Sequence, residues 1–155
     1  MEICYRVGDA TAPAAEGSKI IAHICNDQGA WGKGFVLALS RRWKQPADVF
    51  KVWFKEKNRI ELGEVQFVQV EADVWVANMI AQHGLKPQND VPPIRYDAVR
   101  ACLEKVASKA KELEATVHMP RIGCGLAGGE WSRIEPIVVD ALCEQGIAVT
   151  VYDLE

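Results

Sequence analysis

The stretch KIIAHICNDQGAWGKGFVLAL, residues 19–39, decides the fold of this chain. It opens with an apolar run of strand length and continues into a glycine-rich segment around Trp31 and Lys33. From Phe35 onward the apolar residues recur at helical spacing. The stretch therefore predicts a buried strand, a glycine loop and a helix in that order, a unit typical of α/β proteins.

The rest of the sequence continues to alternate strand and helix patterns. Besides the strand at 19–25, strands are predicted at 2–7, 64–71, 73–82, 115–120 and 147–154, and helices at 35–43, 47–58, 96–115 and 131–145. We expect Pro136 in the first turn of the last helix, where its missing N–H is tolerated. Because the first two strands and the central pair have short connections, we expect a mixed, mostly parallel sheet with helices on both faces.

Composition limits the class of protein. The 155 residues fit one domain, 1–155, and the net charge of −3 argues against bulk nucleic-acid binding. No apolar run approaches the roughly 18 residues that cross a bilayer, so we expect no membrane association. The five cysteines form no CxxC pair and no metal-type cluster. We therefore expect reduced thiols, a cytoplasmic location and no metal.

A second glycine-rich segment, RIGCGLAGGEW at residues 121–131, also follows a predicted strand and precedes a helix. Glycine lets backbone N–H groups approach ligand oxygens closely, and a helix N-terminus adds unpaired N–H groups. A single loop of this kind is equally typical of a plain turn. Two at the same sheet edge favour a ligand with two phosphates, or with a phosphate and a sugar.

Two common phosphate motifs fit poorly. A Walker loop needs Ser or Thr after its lysine, whereas Gly34 follows Lys33. Gly123, Gly125 and Gly128 spell G-x-G-x-x-G, with Asp153 downstream as a possible ribose ligand. A dinucleotide fold would need several strands after that unit, so a dehydrogenase is disfavoured.

Four segments together resemble the macrodomain family. They are VGDAT (7–11), IIAHICNDQGAWGKGFVLAL (20–39), MPRIGCGLAGGEW (119–131) and AVTVYDL (148–154). The branch they resemble contains the terminal ADP-ribose protein glycohydrolases and the ADP-ribose 1″-phosphate phosphatases. The resemblance implies a three-layer α/β/α macrodomain, a mixed central sheet of about six strands, and an ADP-ribose pocket.

The resemblance also implies binding roles. Asp9 would accept a hydrogen bond from the adenine amino group, the Ala10 backbone would seat the ring, and Tyr152 would line the adenine side. Asn26 would contact the distal ribose. The first glycine loop would wrap the pyrophosphate and distal sugar through Trp31, Gly32, Lys33, Gly34 and Phe35. The second would close over the diphosphate through Ile122, Gly123, Cys124, Gly125 and Leu126.

The catalytic positions depart from the resemblance. The glycohydrolases use a lysine after the central strand and an aspartate after GCGL, where this chain has Gln82 or His83, and Ala127. Hydrolysis of an ADP-ribosyl ester needs a positioned water. The catalytic candidates near the expected distal ribose are His83, Gln82, Asp27 and His23.

Single residues carry alternative interpretations. His23 in an apolar strand is as typical of a hydrogen-bonded core histidine as of a catalytic one. Cys124 between glycines belongs to the binding loop rather than acting as a nucleophile. Trp31 has no helical or strand periodicity around it, which favours a role as a ligand wall.

The sequence thus predicts an enzyme that hydrolyses ADP-ribosyl esters and reverses mono-ADP-ribosylation on acidic residues. The alternatives are an ADP-ribose 1″-phosphate phosphatase and a non-catalytic ADP-ribose reader. The expected partner is ADP-ribose or an ADP-ribosylated protein. We expect a monomer that needs no cofactor.

Overall fold

The structure is a computed structural model and describes residues 1–154. Its strands are β1 (Cys4–Val7), β2 (Lys19–Asn26), β3 (Val65–Glu71), β4 (Val74–Gln82), β5 (Thr116–Met119) and β6 (Val149–Asp153). Its α-helices are α1 (Phe35–Arg42), α2 (Gln45–Lys57), α3 (Tyr96–Leu113) and α4 (Trp131–Ala141). Each predicted element is present, with ends shifted by a few residues.

The strands form one mixed sheet in the order β1-β6-β5-β2-β4-β3. Every neighbouring pair is parallel except β3 and β4, which are antiparallel. The predicted mixed, mostly parallel sheet is confirmed. Within residues 1–154, only the strands β3 and β4 form an antiparallel pair. The first two strands of the chain do not pair with each other, because β6 and β5 lie between β1 and β2. The connection at 8–18 therefore runs from the carboxyl end of β1 back to the amino end of β2, three places along the sheet, rather than turning a hairpin.

Helices cover both faces of the sheet, as predicted. Leu39 of α1 and Phe50 of α2 belong to one buried apolar cluster, and Leu103 of α3 and Ile134 of α4 belong to the other. Alternate residues of β2 feed the two clusters, because successive side chains of a strand point to opposite faces. Burial on both sides explains why β2 reads as a continuous apolar run.

The last helix corrects one expectation. Pro136 lies inside α4, in its second turn rather than its first. The regular helix ends at Ala141, and a short 3₁₀ turn at Cys143–Gln145 replaces its predicted end. Within residues 1–154, no helix has the length and apolar character needed to cross a membrane.

Candidate ligand-binding site

A cleft of about 240 Å³ opens where β2 and β5 end. This is the crevice at the carboxyl ends of parallel strands in which α/β proteins bind ligands. The two glycine loops form its two sides. Its lining residues are His23, Ile24, Lys33, Gly34, Phe35, Val36, Gln82, Pro120, Arg121, Ile122, Gly123, Gly125, Leu126 and Ala127.

The first side of the cleft is the start of α1. Gly34 is the N-cap residue, with φ 84° and ψ −146°, and no side chain caps the helix. The N–H groups of Phe35 and Val36 in the first turn have no intrahelical partner, since a helix leaves its first N–H groups unpaired. Lys33 is exposed beside them. This side therefore offers N–H donors, the positive end of a helix dipole and a cation.

The second side of the cleft is built from loop backbone. Gly123 has φ 73°, and an added Cβ there would lie 2.6 Å from Ile94 Cδ1. Within residues 1–154 the N–H groups of Gly125, Leu126 and Ala127 have no backbone acceptor. The N-terminus of α4 contributes nothing to the cleft lining, and the Glu130 N–H is bound by Tyr96 Oη at 3.0 Å. The expectation of two helix N-termini is thus corrected to one.

Asn26 stabilises the turn of the first loop from within. Its Oδ1 accepts hydrogen bonds from the N–H groups of Gln28 at 2.9 Å and Ala30 at 3.0 Å, and its Nδ2 donates to Ala30 O at 2.8 Å. Neither Asn26 nor Gly32 lines the cleft. The structure therefore gives Asn26 a loop-forming role, and its contact with the distal ribose stays a prediction.

Trp31 is a core residue rather than a cleft wall. It is 9% exposed, and its ring centroid lies 5.5 Å from that of Phe50 and 5.4 Å from that of His23. Its Nε1–H donates to Ser40 Oγ at 2.8 Å. The glycines around it let the chain turn so that the indole points inward, which sequence periodicity cannot reveal.

The four predicted catalytic residues separate into two groups. Gln82 and His23 line the cleft, whereas Asp27 and His83 do not. Asp27 Oδ2 lies 2.6 Å from His83 Nδ1, and its Oδ1 accepts the Gly84 N–H at 2.9 Å. Burial raises the pKa of Asp27, but the hydrogen bonds from Gly84, His83 and Gln28 outweigh it, so this pKa is lowered overall. The contact between Asp27 and His83 joins the first loop to the segment after β4.

His23 is the buried titratable group of the cleft. It is 1% exposed, and its Nε2 lies 2.6 Å from Asn78 Oδ1. Burial lowers the pKa of His23 to about 4, while the bond to Asn78 opposes the shift. The imidazole is therefore neutral at pH 7.

Comparison with known proteins identifies this arrangement. No family model matches the chain. A solved macrodomain protein from Streptomyces coelicolor is 58% identical, over 98% of this chain and 99% of that one, with a TM-score of 0.87. The chain belongs to the macrodomain family.

Other similar proteins widen this comparison. The zebrafish chromodomain-helicase-DNA-binding protein 1-like is 32% identical over 97% of this chain, which spans only 15% of that protein's length. An ADP-ribose 1″-phosphate phosphatase from Lodderomyces elongisporus is 25% identical over 99% of this chain and all of that one. Thermosipho africanus DarTG, solved in complex with ADP-ribose, covers 88% of this macrodomain and 38% of its own chain, at 21% identity and a TM-score of 0.72. This last likeness concerns the fold alone.

Arg121 is a cleft residue of this macrodomain that the sequence did not single out. Its guanidinium binds both carboxylate oxygens of Asp153, at 2.6 and 2.9 Å. It also lies over the rings of Tyr5, at 5.1 Å, and Trp131, at 5.4 Å. The carboxylate of Asp153 is therefore paired with an arginine. The one sequence feature that could have indicated Arg121 as a cleft residue was its position beside the second glycine loop.

The other lining residues that sequence reasoning missed are apolar. They are Ile24, Val36, Pro120 and Ala127. Cys124, predicted to bind, does not line the cleft and donates its thiol to Ile122 O at 3.5 Å. Burial raises the pKa of this thiol, which fits the expectation that it is not a nucleophile.

The predicted adenine-side residues of the macrodomain lie outside the cleft lining, at the ends of β1 and β6. Asp9 Oδ1 accepts hydrogen bonds from the N–H and hydroxyl of Thr11, both at 2.8 Å. Ala10 is buried, and Tyr152 Oη lies 2.7 Å from His118 Nδ1. Gly8 N–H donates to Asp153 O at 2.9 Å, which holds the segment before Asp9 against β6. Their contact with adenine stays a prediction.

Proposed function

We propose that this macrodomain binds ADP-ribose in the cleft and hydrolyses ADP-ribosyl esters, removing mono-ADP-ribose from acidic side chains of proteins. The observation that carries the proposal is the pair of backbone edges facing one cavity. Residues at the start of α1 and Gly125, Leu126 and Ala127 of the second loop line the same cavity, and their N–H groups have no backbone acceptor within residues 1–154. A diphosphate has oxygens on both sides and suits such a clamp.

Lys33 adds charge to the clamp. Its ammonium group has no ion-pair partner among the salt bridges of residues 1–154. The other cation in the lining, Arg121, is bound to Asp153. Lys33 is therefore the cation best placed to neutralise a bound phosphate.

Ester hydrolysis requires water to attack the anomeric carbon of the distal ribose. The bond between that carbon and the ester oxygen breaks, the side-chain carboxylate leaves with the electron pair, and the proton of the water passes to solvent or to a nearby acceptor. Gln82 and the neutral His23 are the polar side chains of the lining that can orient this water. The diphosphate of the substrate supplies further acceptors. The lysine and aspartate of the related glycohydrolases have no counterpart at Gln82, His83 and Ala127.

A second candidate function is removal of the 1″-phosphate of ADP-ribose. Two fungal relatives carry the name ADP-ribose 1″-phosphate phosphatase, and a neutral imidazole, His23, lines the cleft. A neutral imidazole can act as a nucleophile or base toward phosphorus. The His23→Ala variant would lose this phosphatase activity.

One experiment separates the candidates. The protein is incubated with a peptide ADP-ribosylated on glutamate and, separately, with ADP-ribose 1″-phosphate, and released ADP-ribose and inorganic phosphate are measured. We expect free ADP-ribose from the peptide. Phosphate release alone would favour the phosphatase. If ADP-ribose binds but neither product is released, a non-catalytic ADP-ribose reader is favoured. If ADP-ribose does not bind at all, the hydrolase, the phosphatase and the reader are all contradicted.

A further inference from the structure

A chain of amide hydrogen bonds runs from the exposed side of β3 inward and ends at the buried His23, beneath the cleft. Gln66 Nε2 donates to Val49 O at 3.2 Å, and Asn78 Nδ2 donates to Gln66 Oε1 at 3.1 Å and to Pro46 O at 3.3 Å. Asn78 Oδ1 then lies 2.6 Å from His23 Nε2. His23 and Asn78 are direct neighbours in the register of β2 and β4.

The direction of this chain is fixed by two backbone carbonyls. Pro46 O and Val49 O can only accept hydrogen bonds, so the amide nitrogens of Asn78 and Gln66 must face them. Asn78 therefore presents its oxygen to His23. An amide oxygen accepts only, so His23 Nε2 must carry the proton, and Nδ1 of the neutral ring is a bare acceptor.

That acceptor has no partner in the protein. His23 Nδ1 is the buried side-chain nitrogen without a hydrogen bond within residues 1–154. The rings of Trp31 and Phe35 lie nearby, at 5.4 and 5.9 Å, but Phe35 has no polar side-chain atom and the Trp31 Nε1–H already donates to Ser40 Oγ. Leaving a buried acceptor unpaired is destabilising, and His23 belongs to the cleft lining. A donor brought by a ligand would remove this destabilisation.

We propose that Asn78 is a positioning residue that fixes His23 as its Nε2–H tautomer, so that His23 Nδ1 accepts a hydrogen bond from a hydroxyl group of the ligand bound in the cleft. The ligand half of this inference rests on the proposed function. The tautomer half rests on the hydrogen-bond chain alone. Cys25 Sγ, 3.8 Å from Nε2, is the other titratable group beside the ring, and burial raises the pKa of its thiol, so it brings no charge.

Nitrogen-15 NMR of the imidazole groups tests the inference directly, because the chain has three histidines. In the free protein at pH 7 we expect His23 Nε2 in the range of a protonated ring nitrogen and Nδ1 in the range of an unprotonated one. Both signals should stay unchanged between pH 8 and pH 5.5. Addition of ADP-ribose should shift Nδ1 toward the position of a hydrogen-bonded nitrogen. A proton on Nδ1 in the free protein would overturn the proposal.

Calorimetry on the same samples separates the two claims. If calorimetry detects ADP-ribose binding but the His23 Nδ1 signal does not shift, the proposed hydrogen bond from the ligand to Nδ1 is overturned and the proposed function is not. Absence of binding heat would contradict the proposed function and the ligand half together, while the tautomer half is judged from the free protein's spectrum.

The Asn78→Leu variant tests the positioning role. We expect the His23 signals to report a mixture of tautomers and ADP-ribose affinity to fall about tenfold. Gln69→Leu is the matched control, since Gln69 lies on β3 outside the chain and donates to Ala72 O. An unchanged His23 spectrum in folded Asn78→Leu would overturn the role. If that variant does not fold, the spectrum of the wild-type protein still decides the tautomer.

Discussion

Among the cleft residues, we expect the positive charge of Lys33 to contribute most to the affinity for ADP-ribose. Lys33 lines the cleft, it is exposed, and it is free of ion pairs within residues 1–154. We expect Lys33→Met to weaken ADP-ribose binding about tenfold at low salt, and less at high salt because salt screens the interaction. Calorimetry at two ionic strengths measures this. Lys86→Met, which removes the same charge outside the cleft lining, should bind like the wild type. Equal losses in both variants would contradict a specific role.

Because Trp31 is buried, we expect its removal to affect stability more than ligand binding. Because its indole packs on Phe50 and His23, Trp31→Ala should lower the free energy of unfolding by about 3–5 kcal/mol. Urea denaturation followed by circular dichroism measures this loss. Unchanged stability together with weaker ADP-ribose binding would restore the ligand-wall role expected from the sequence.

The candidate site could be predicted from sequence only where local backbone chemistry determines it. Gly34 and Gly123 mark backbone turns by residue type, and several cleft residues beside them, such as Lys33, Phe35 and Ile122, were predicted. Arg121 was missed because its role comes from Asp153 and Trp131, which are distant in sequence. The bonds of the Asn26 amide within its own loop were not predicted, because they depend on the turn geometry.

The first glycine loop is the element whose backbone conformation the site most depends on. Gly34 has φ 84°, whereas Gly32 lies outside the positive φ range, and an added Cβ at either would meet no atom within 4 Å. Gly34→Ala should therefore lower the free energy of unfolding by about 1–3 kcal/mol through backbone strain alone. Gly32→Ala, the matched control, should change it by less than about 0.5 kcal/mol. Urea denaturation of both tests this, and equal stabilities would contradict the assigned conformation.

The elements themselves were largely predictable because their apolar periodicity is strong. The buried run of β2 and the helical spacing of α1 both persisted in the structure. The position of β1 was not predictable from its short connection to β2. It is the edge strand beside β6, and all four of its residues are exposed. Strand order depends on how helices cover the sheet, which periodicity within one strand does not encode.

At the scale of the whole molecule, two buried histidines make stability depend on pH. Burial is the main cause that lowers the pKa of His23 and of His118 to about 4, and for His118 the charges of Lys19 and Arg6 add to it. The unfolded chain, with ordinary histidine pKa values near 6.5, binds more protons between these limits. Stability is therefore full above about pH 6.5 and is lost as the pH falls toward 4.

From pH 6.5 to pH 5 we expect a loss of about 1.5 kcal/mol for each of these two histidines. Urea denaturation at half-unit pH steps measures it. The carboxyl group of Asp27, whose pKa is lowered, loses its contribution only at more acidic pH and leaves this window clear. A free energy of unfolding that stays flat from pH 7 to 5 would contradict the buried, neutral histidines.

Under the proposed function, the two glycine loops of this macrodomain clamp the diphosphate of ADP-ribose. A crystal structure of the complex with ADP-ribose would locate the diphosphate. We predict the diphosphate between the N-terminus of α1 and the N–H groups of Gly125, Leu126 and Ala127, with a ligand hydroxyl on His23 Nδ1. A diphosphate bound elsewhere on the molecule, with the cleft empty, would contradict the account.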